Sequence, residues 1–262
     1  MWTREELKSL AKTSLKGNYW KAFLIGLVLI FAGGDGSGGG SGSSSQTNNV
    51  ANEFMTYNTD VIIIVVAMII LAIAYRLLLG YSLEVGSRKY FVQLGQFTNT
   101  GGCYSFAFDS ANYKGIIATM LLRSIYSFLW SLLFVIPGII KSYSYRMVPY
   151  ILADNPNIGA DNAITLSRKM MDGNKFAAFV LDLSFLGWIL LGALALGVGI
   201  FFVNPYIYAT DAQLYLWLRK DSINKGDSTY EDFNLVRRND NFNDYDNYND
   251  LNRYDNNNHR DY

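Results

Sequence analysis

Two apolar blocks constrain this chain more than any other feature. Val61 to Leu79 is interrupted only by Arg76, and Phe176 to Val203 carries only Asp182 as a charge. Runs of about 18 or more apolar residues are long enough, as helices, to cross the hydrocarbon core of a bilayer. Helix is the expected form because it satisfies every backbone polar group within one segment where no water can do so. Core helices of a large soluble protein are the competing reading, but such runs seldom come this long together. The expected fold class is therefore all-α: a polytopic transmembrane helix bundle of about six spans with amphipathic surface helices and a disordered C-terminal tail.

The spans are expected at about Trp20 to Ala32, Val61 to Leu83, Gly115 to Ile136, Ile139 to Ala153, Phe176 to Val203 and Tyr206 to Leu218. The first is short for a bilayer. The fourth, which holds Lys141, Arg146 and Pro149, reads either as a short span or as a surface helix. Charge favours the span: Arg168, Lys169 and Lys175 follow it, and the positive-inside rule wants them cytoplasmic. Pro137-Gly138 is read as a turn or kink, Asn204-Pro205 as a turn, and Thr98 to Gly102 as a helix breaker. Residues 1–220 form the expected membrane domain. Residues 33–60, Gly/Ser-rich at first and then acidic without basic residues, read as a flexible external loop. From Asp221 onward Asn, Asp and Tyr dominate, and residues 221–262 read as a disordered cytoplasmic tail.

One device occurs twice. Gly17-Asn18 is followed by Ala22-Phe23, and Gly173-Asn174 by Ala178-Phe179, each time between a basic amphipathic stretch and an apolar run. Leu10 matches Leu166 and Lys12 matches Arg168 in this register. Both copies mark where the chain enters the bilayer, by duplication or by shared helix-start chemistry. Thr3 and Glu6 have capping-box spacing, and Leu7, Leu10, Ala11, Ser14 and Leu15 share a face opposite Lys8, Lys12 and Lys16. That helix is expected to lie on the membrane, as is a second over Ile158 to Met171. Because the pattern recurs at Gly173, the first copy is not read as a cleaved signal peptide.

Composition removes several function classes. The formal charge is +0, with no basic field for nucleic acid. Cys103 and His259 are the single cysteine and histidine. A disulfide framework, a multi-cysteine metal site and a histidine-based triad or proton relay are thereby excluded from the membrane body. No catalytic residue, metal or cofactor is expected.

The stretches GNYWKAF at Gly17, IPGIIKSYSYRMVPYILADNP from Ile136, AITLSRKMMDGNKFAAF from Ala163 and NPYIYAT from Asn204 together resemble the DUF975 family, over about Met1 to Lys220. The resemblance implies a multi-pass bacterial membrane protein, chiefly of Gram-positive organisms, without assigned activity. More distantly, the alternation of surface helices and spans is similar to the membrane portion attached to some glycerophosphodiester phosphodiesterases, but no such catalytic domain is present. The family carries over no catalytic residue.

Charges within spans are costly, about 2.5 to 3.5 kcal/mol each, so they need partners or water. Arg76, Arg123, Asp182 and Asp211 are expected to form an intramembrane polar cluster in the inner half, with Arg123 paired to Asp182 or Asp211. Lys141 and Arg146 are candidate lipid headgroup contacts toward the outer face. The expected function is that of a non-enzymatic protein of the bacterial cell membrane, both termini cytoplasmic, acting through membrane lipids, another membrane protein or self-association. A small proton- or cation-linked transporter using the cluster is the alternative.

Overall fold

Thr3 lies in extended backbone and its hydroxyl accepts the Glu6 amide at 3.2 Å, which caps α1 (Arg4–Leu15). Gly17 then turns the chain at φ +83, and Asn18 starts α2 (Tyr19–Phe31). The second copy has the same corner: α9 (Ala160–Met170), Gly173 at φ +71, and Asn174 starting α10 (Lys175–Leu183). The bonds correspond as well, with Ala22 N–H donating to the Asn18 carbonyl at 3.0 Å and Ala178 N–H to that of Asn174 at 2.9 Å. Left-handed backbone explains the glycine in each copy, since a Cβ is penalised there. The alanine that follows is fully buried in both.

The computed structural model describes residues 2–33, 59–133, 135–194 and 198–235, and no strand occurs among them. Between the two corners run α3 (Thr59–Tyr75), a π-helical segment (Arg76–Gly80), α4 (Tyr81–Gly95), α5 (Cys103–Phe108), α6 (Ser110–Leu133), α7 (Val135–Ser144) and α8 (Val148–Asp154). After α10 come α11 (Leu186–Leu194), α12 (Val198–Lys225) and a 3₁₀ turn at Glu231–Phe233. Short helix followed by hairpin therefore occurs three times: α1 leads to α2 and the α3–α4 rod, α5 to α6 and α7–α8, and α9 to α10–α11 and α12. The centre of the bundle is α12, packed against α1, α2, α4, α9 and α11.

Among the described residues three helices are long and apolar enough to cross a membrane: Ile62–Gly95, Ser110–Leu133 and Lys175–Leu194. None of the most apolar 18-residue window of the first is buried by protein. Exposed apolar side chains also cover the end of α6 (Leu129, Leu132), the start of α7 (Ile139, Ile140) and α11 (Leu190, Leu194). The lower halves differ: α4, α8, α9 and the second half of α12 bury Phe91, Ile151, Leu166 and Leu214 against one another. The apolar collar starts near the two corners, where Trp20 and Phe176 are 68 % and 76 % exposed.

Several sequence expectations are corrected. The apolar face of α1 meets protein rather than lipid: Leu7, Leu10, Ala11 and Leu15 are buried, and the helix packs on α12 and α4. Pro205 does not turn the chain but lies inside α12, and the expected span Phe176 to Val203 divides at Ser184–Phe185 and reverses before Val198. The hairpin closes where it can pack most tightly, at Gly192 and Gly199; a Cβ on Gly199 would lie 2.7 Å from Gly192 Cα. Proline costs α12 one backbone bond, which the packing around this helix offsets. Pro137 lies within α7.

Ordered structure also passes the expected boundary at Lys220. Phe233 folds back and is buried edge-on to Tyr215, while Asn155 donates to the carbonyls of Glu231 and Asp232. Most of the loop expected at 33–60 and the tail from residue 236 lie outside the described residues.

Candidate functional site

Each hairpin returns along a helix that is irregular where it carries charge. In the first, the π-helical turn holds Arg76, and Glu84 and Arg88 follow on α4. In the second, helix is lost between Ser144 and Val148, and Arg146 sits in the gap. In the third, Pro205 precedes Asp211 by less than two turns. These helices bring their charges together in tiers, because residues four apart share a helix face. Glu84, Arg146 and Asp211 are the first tier, Arg88, Tyr150 and Tyr215 the second, and Asp154 with Arg219 the third.

Arg146 is the hub of the upper tier and is only 6 % exposed. Its Nη1 donates to Asp182 Oδ2 at 2.9 Å, and Nη2 donates to Asp182 Oδ1 at 2.8 Å and to Asp211 Oδ1 at 2.6 Å. The Tyr143 hydroxyl donates to Asp182 Oδ2 at 2.7 Å. A second group centres on fully buried Glu84, which pairs with Arg76 at 2.7 Å and Arg123 at 3.5 Å. Arg76 also donates to the Ala32 carbonyl, filling an orphan acceptor at the end of α2. Arg88 lies within electrostatic reach of both Glu84 and Asp211 and joins the groups. It donates to the Tyr150 hydroxyl at 2.9 Å and faces the rings of Tyr150 and Tyr208.

Below, Tyr150 stacks on Tyr215 with ring centroids 5.3 Å apart. The Tyr215 hydroxyl donates to Asp154 at 2.6 Å, and Arg219 donates to the same oxygen at 2.8 Å. The irregular backbone at Tyr145 to Met147 is also supplied with partners. Ser167 on α9 donates to the Ser144 carbonyl at 2.8 Å and accepts the Met147 amide at 3.2 Å, while Arg123 Nε donates to the Tyr145 carbonyl at 3.2 Å. Non-helical backbone away from water is tolerable when enclosed by protein in this way. The carboxylates of the network all accept from guanidinium or phenol groups, an arrangement that fixes helices relative to one another. Among the described residues no group of three or more His, Cys, Asp or Glu could hold a metal ion.

The four residues expected as one cluster are thus distributed over two linked groups. Arg123 joins Glu84, not Asp182 or Asp211, because the gap between α7 and α8 delivers Arg146 between the two aspartates. Arg146 is correspondingly not a headgroup contact at the outer face, and Lys141 lies 4.6 Å from the Trp130 ring centroid. Glu84, Arg88, Tyr143, Tyr150 and the Asp154–Arg219 pair were not legible as site residues one at a time. Their shared spacing was: Glu84 and Arg88, Arg146, Tyr150 and Asp154, and Asp211, Tyr215 and Arg219 each recur at intervals of four. At the corners, Gly17, Asn18, Gly173 and Asn174 occupy the turns, Phe23 stacks on Phe202 at 5.1 Å, and Phe179 meets Tyr143 edge-on at 6.3 Å. Trp2 Nε1 donates to Asn174 Oδ1 at 3.3 Å, tying the start of the described chain to the second corner.

A family model described as a protein of unknown function, DUF975, matches residues 132–222, the stretch that supplies Arg146, Asp154, Asp182, Asp211 and Arg219. No curated protein and no solved structure matches the chain.

Proposed function

We propose, starting from the DUF975 match over residues 132–222, that this is a non-enzymatic, multi-pass protein of the bacterial cell membrane. It acts through contacts with membrane lipids, with another membrane protein or with itself, and the buried charge network locks its three returning helices. The observation that carries this reading is the apolar collar: the most apolar window of Ile62–Gly95 has none of its residues buried, while the charges nearby are enclosed and paired. Such a surface is stable only against hydrocarbon or another apolar surface.

The finer topology has six spans, formed by α2, α3–α4, α6, α7, α10–α11 and α12, with both termini cytoplasmic. The lysines of α1 and the Arg168–Lys169 pair of α9 support that orientation by the positive-inside rule. Asn157 is exposed between α8 and α9. In a Cys103→Ser background, Asn157→Cys is expected to react with an impermeant maleimide only from the cytoplasmic side; labelling from outside contradicts six spans.

A second reading, a small proton- or cation-linked transporter, draws support from Arg146 at the interruption between α7 and α8, since broken helices often frame transporter sites. Reconstitution in sealed vesicles separates the two. The lock predicts no proton or cation flux above that of empty vesicles for wild type or Asp182→Asn. Flux abolished by Asp182→Asn would overturn the lock reading.

A further inference from the structure

The inner end of α2 borders a groove that belongs to neither the charge network nor the central core. Its volume is about 580 Å³, and its walls are Lys21, Leu24 and Ile25 of α2, Tyr90 of α4 and the segment Asn99 to Ser105. The chemistry is graded along α2. Near the corner Lys21 offers an exposed ammonium, and the facing segment offers the hydroxyl and amide groups of Asn99, Thr100 and Ser105. Among the described residues no carboxylate lines the groove. One turn further along, Leu24 is 61 % exposed and continues into the apolar collar. Trp20, beside Lys21, is exposed at the level where the collar begins, the position tryptophan favours at a membrane interface.

Tyr90 adds a second, independent observation. The residue is 3 % exposed, yet among the described residues its hydroxyl has no hydrogen-bond partner. A buried phenol without a partner is costly, and a ligand oxygen reaching the wall would relieve it.

The twin corner provides an internal comparison. In the register that superposes Gly17-Asn18 on Gly173-Asn174, Lys21 corresponds to Ala177, and the nearest lysine there, Lys175, lies 3.7 Å from Asp172. A lysine at this position of the corner is therefore particular to the first copy.

From this combination we infer that the groove binds the phosphate-bearing head of an anionic phospholipid of the cytoplasmic leaflet. Lys21 holds the phosphate, the Tyr90 hydroxyl donates to a phosphate or ester oxygen, and the acyl chains leave along Leu24 into the bilayer. The inference rests on the membrane reading above and names the lipid class for one site. A lysine at the membrane surface attracts anionic lipid, and a phenol bond to a charged oxygen strengthens the hold.

The test is native mass spectrometry of the detergent-purified full chain titrated with phosphatidylglycerol, with soluble glycerophosphate as the second arm. Wild type is expected to retain one phosphatidylglycerol more tightly than phosphatidylcholine. Lys21→Ala and Tyr90→Phe should each weaken that adduct by about fivefold or more, while Lys175→Ala leaves it unchanged. Equal retention by Lys21→Ala and wild type, or equal weakening by Lys175→Ala, overturns the site. Competition by glycerophosphate at equal concentration overturns the lipid in favour of a free phosphate. Because Tyr90 is buried, each variant is checked for an unchanged elution volume, and Lys21→Ala decides the matter alone if Tyr90→Phe does not fold. Resistance to alkaline carbonate extraction is measured in parallel. Extraction of the wild type by carbonate refutes the membrane reading itself, whereas an integral protein without selective lipid retention refutes only the groove.

Discussion

Replacing Arg146 by alanine is the sharpest probe of the lock. The guanidinium makes three hydrogen bonds of 2.6 to 2.9 Å to Asp182 and Asp211, and removing it leaves two buried carboxylates facing each other without their counterion. Breaking a buried pair from one side typically costs about 3 to 5 kcal/mol, most of it the penalty of the uncompensated charge. For a chain of this size that corresponds to a fall in melting temperature of roughly 6 to 20 °C. The tiers allow a stricter form of the experiment. Arg146→Met combined with Asp182→Asn and Asp211→Asn removes the charges together, and replacing a whole buried ion cluster by neutral groups is often close to neutral. The triple variant should therefore regain most of the stability lost by Arg146→Ala. Cys103, buried and the single cysteine of the chain, supplies the assay: a thiol-reactive dye in detergent reports its exposure as the protein unfolds. A loss below about 1 kcal/mol for Arg146→Ala, the range of exposed pairs, would refute the reasoning, as would a triple variant no more stable than the single one.

Further outcomes follow from other parts of the fold. Gly173→Ala should cost about 1 to 2 kcal/mol in the same melt, since φ is +71 there and no neighbour lies within 4 Å, so the penalty is purely conformational. Gly192→Ala should cost about 1 to 3 kcal/mol, because its Cβ would meet the Ile200 amide at 2.8 Å and spread α11 from α12; an unchanged melt would show that the hairpin is not closely packed. Phe233→Ala should lower stability by about 3 to 5 kcal/mol if the segment after α12 belongs to the core, and by almost nothing if it is a detachable strap. Burial pushes the Cys103 thiol above its ordinary 9.0. Its stabilising contribution is therefore complete below about pH 9 and lost as pH rises through the raised native value. Maleimide labelling of folded protein should be slow at pH 7 and accelerate on unfolding, and equal rates in the two states would contradict its buried position.

The sequence by itself determined that the apolar stretches around Val61 to Leu83, Gly115 to Ile136 and the first part of Phe176 to Val203 form helices long enough for a bilayer, where the chain turns at Gly17 and Gly173, and that short helices alternate with hairpins. Each of these is a local property: apolar length, a left-handed position that glycine accepts, and a face of period 3.6 are all written in consecutive residues. The break at Thr98 to Gly102 was legible for the same reason. Tertiary structure decided the partners. The sequence led to one cluster holding Arg123, Asp182 and Asp211, but position along a helix does not fix its rotation, and rotation selects which charge meets which. The gap at Tyr145 to Met147 turned Arg146 inward between the aspartates and left Arg123 to Glu84. It survives because Ser167 and Arg123, distant in sequence, complete its backbone bonds. Packing likewise kept Pro205 inside α12 and moved the reversal of the third hairpin to the closer contact at Gly192 and Gly199. Whether the apolar face of α1 meets lipid or protein could not be read from its pattern either, because both bury the same stripe and only the neighbouring α12 and α4 distinguish them.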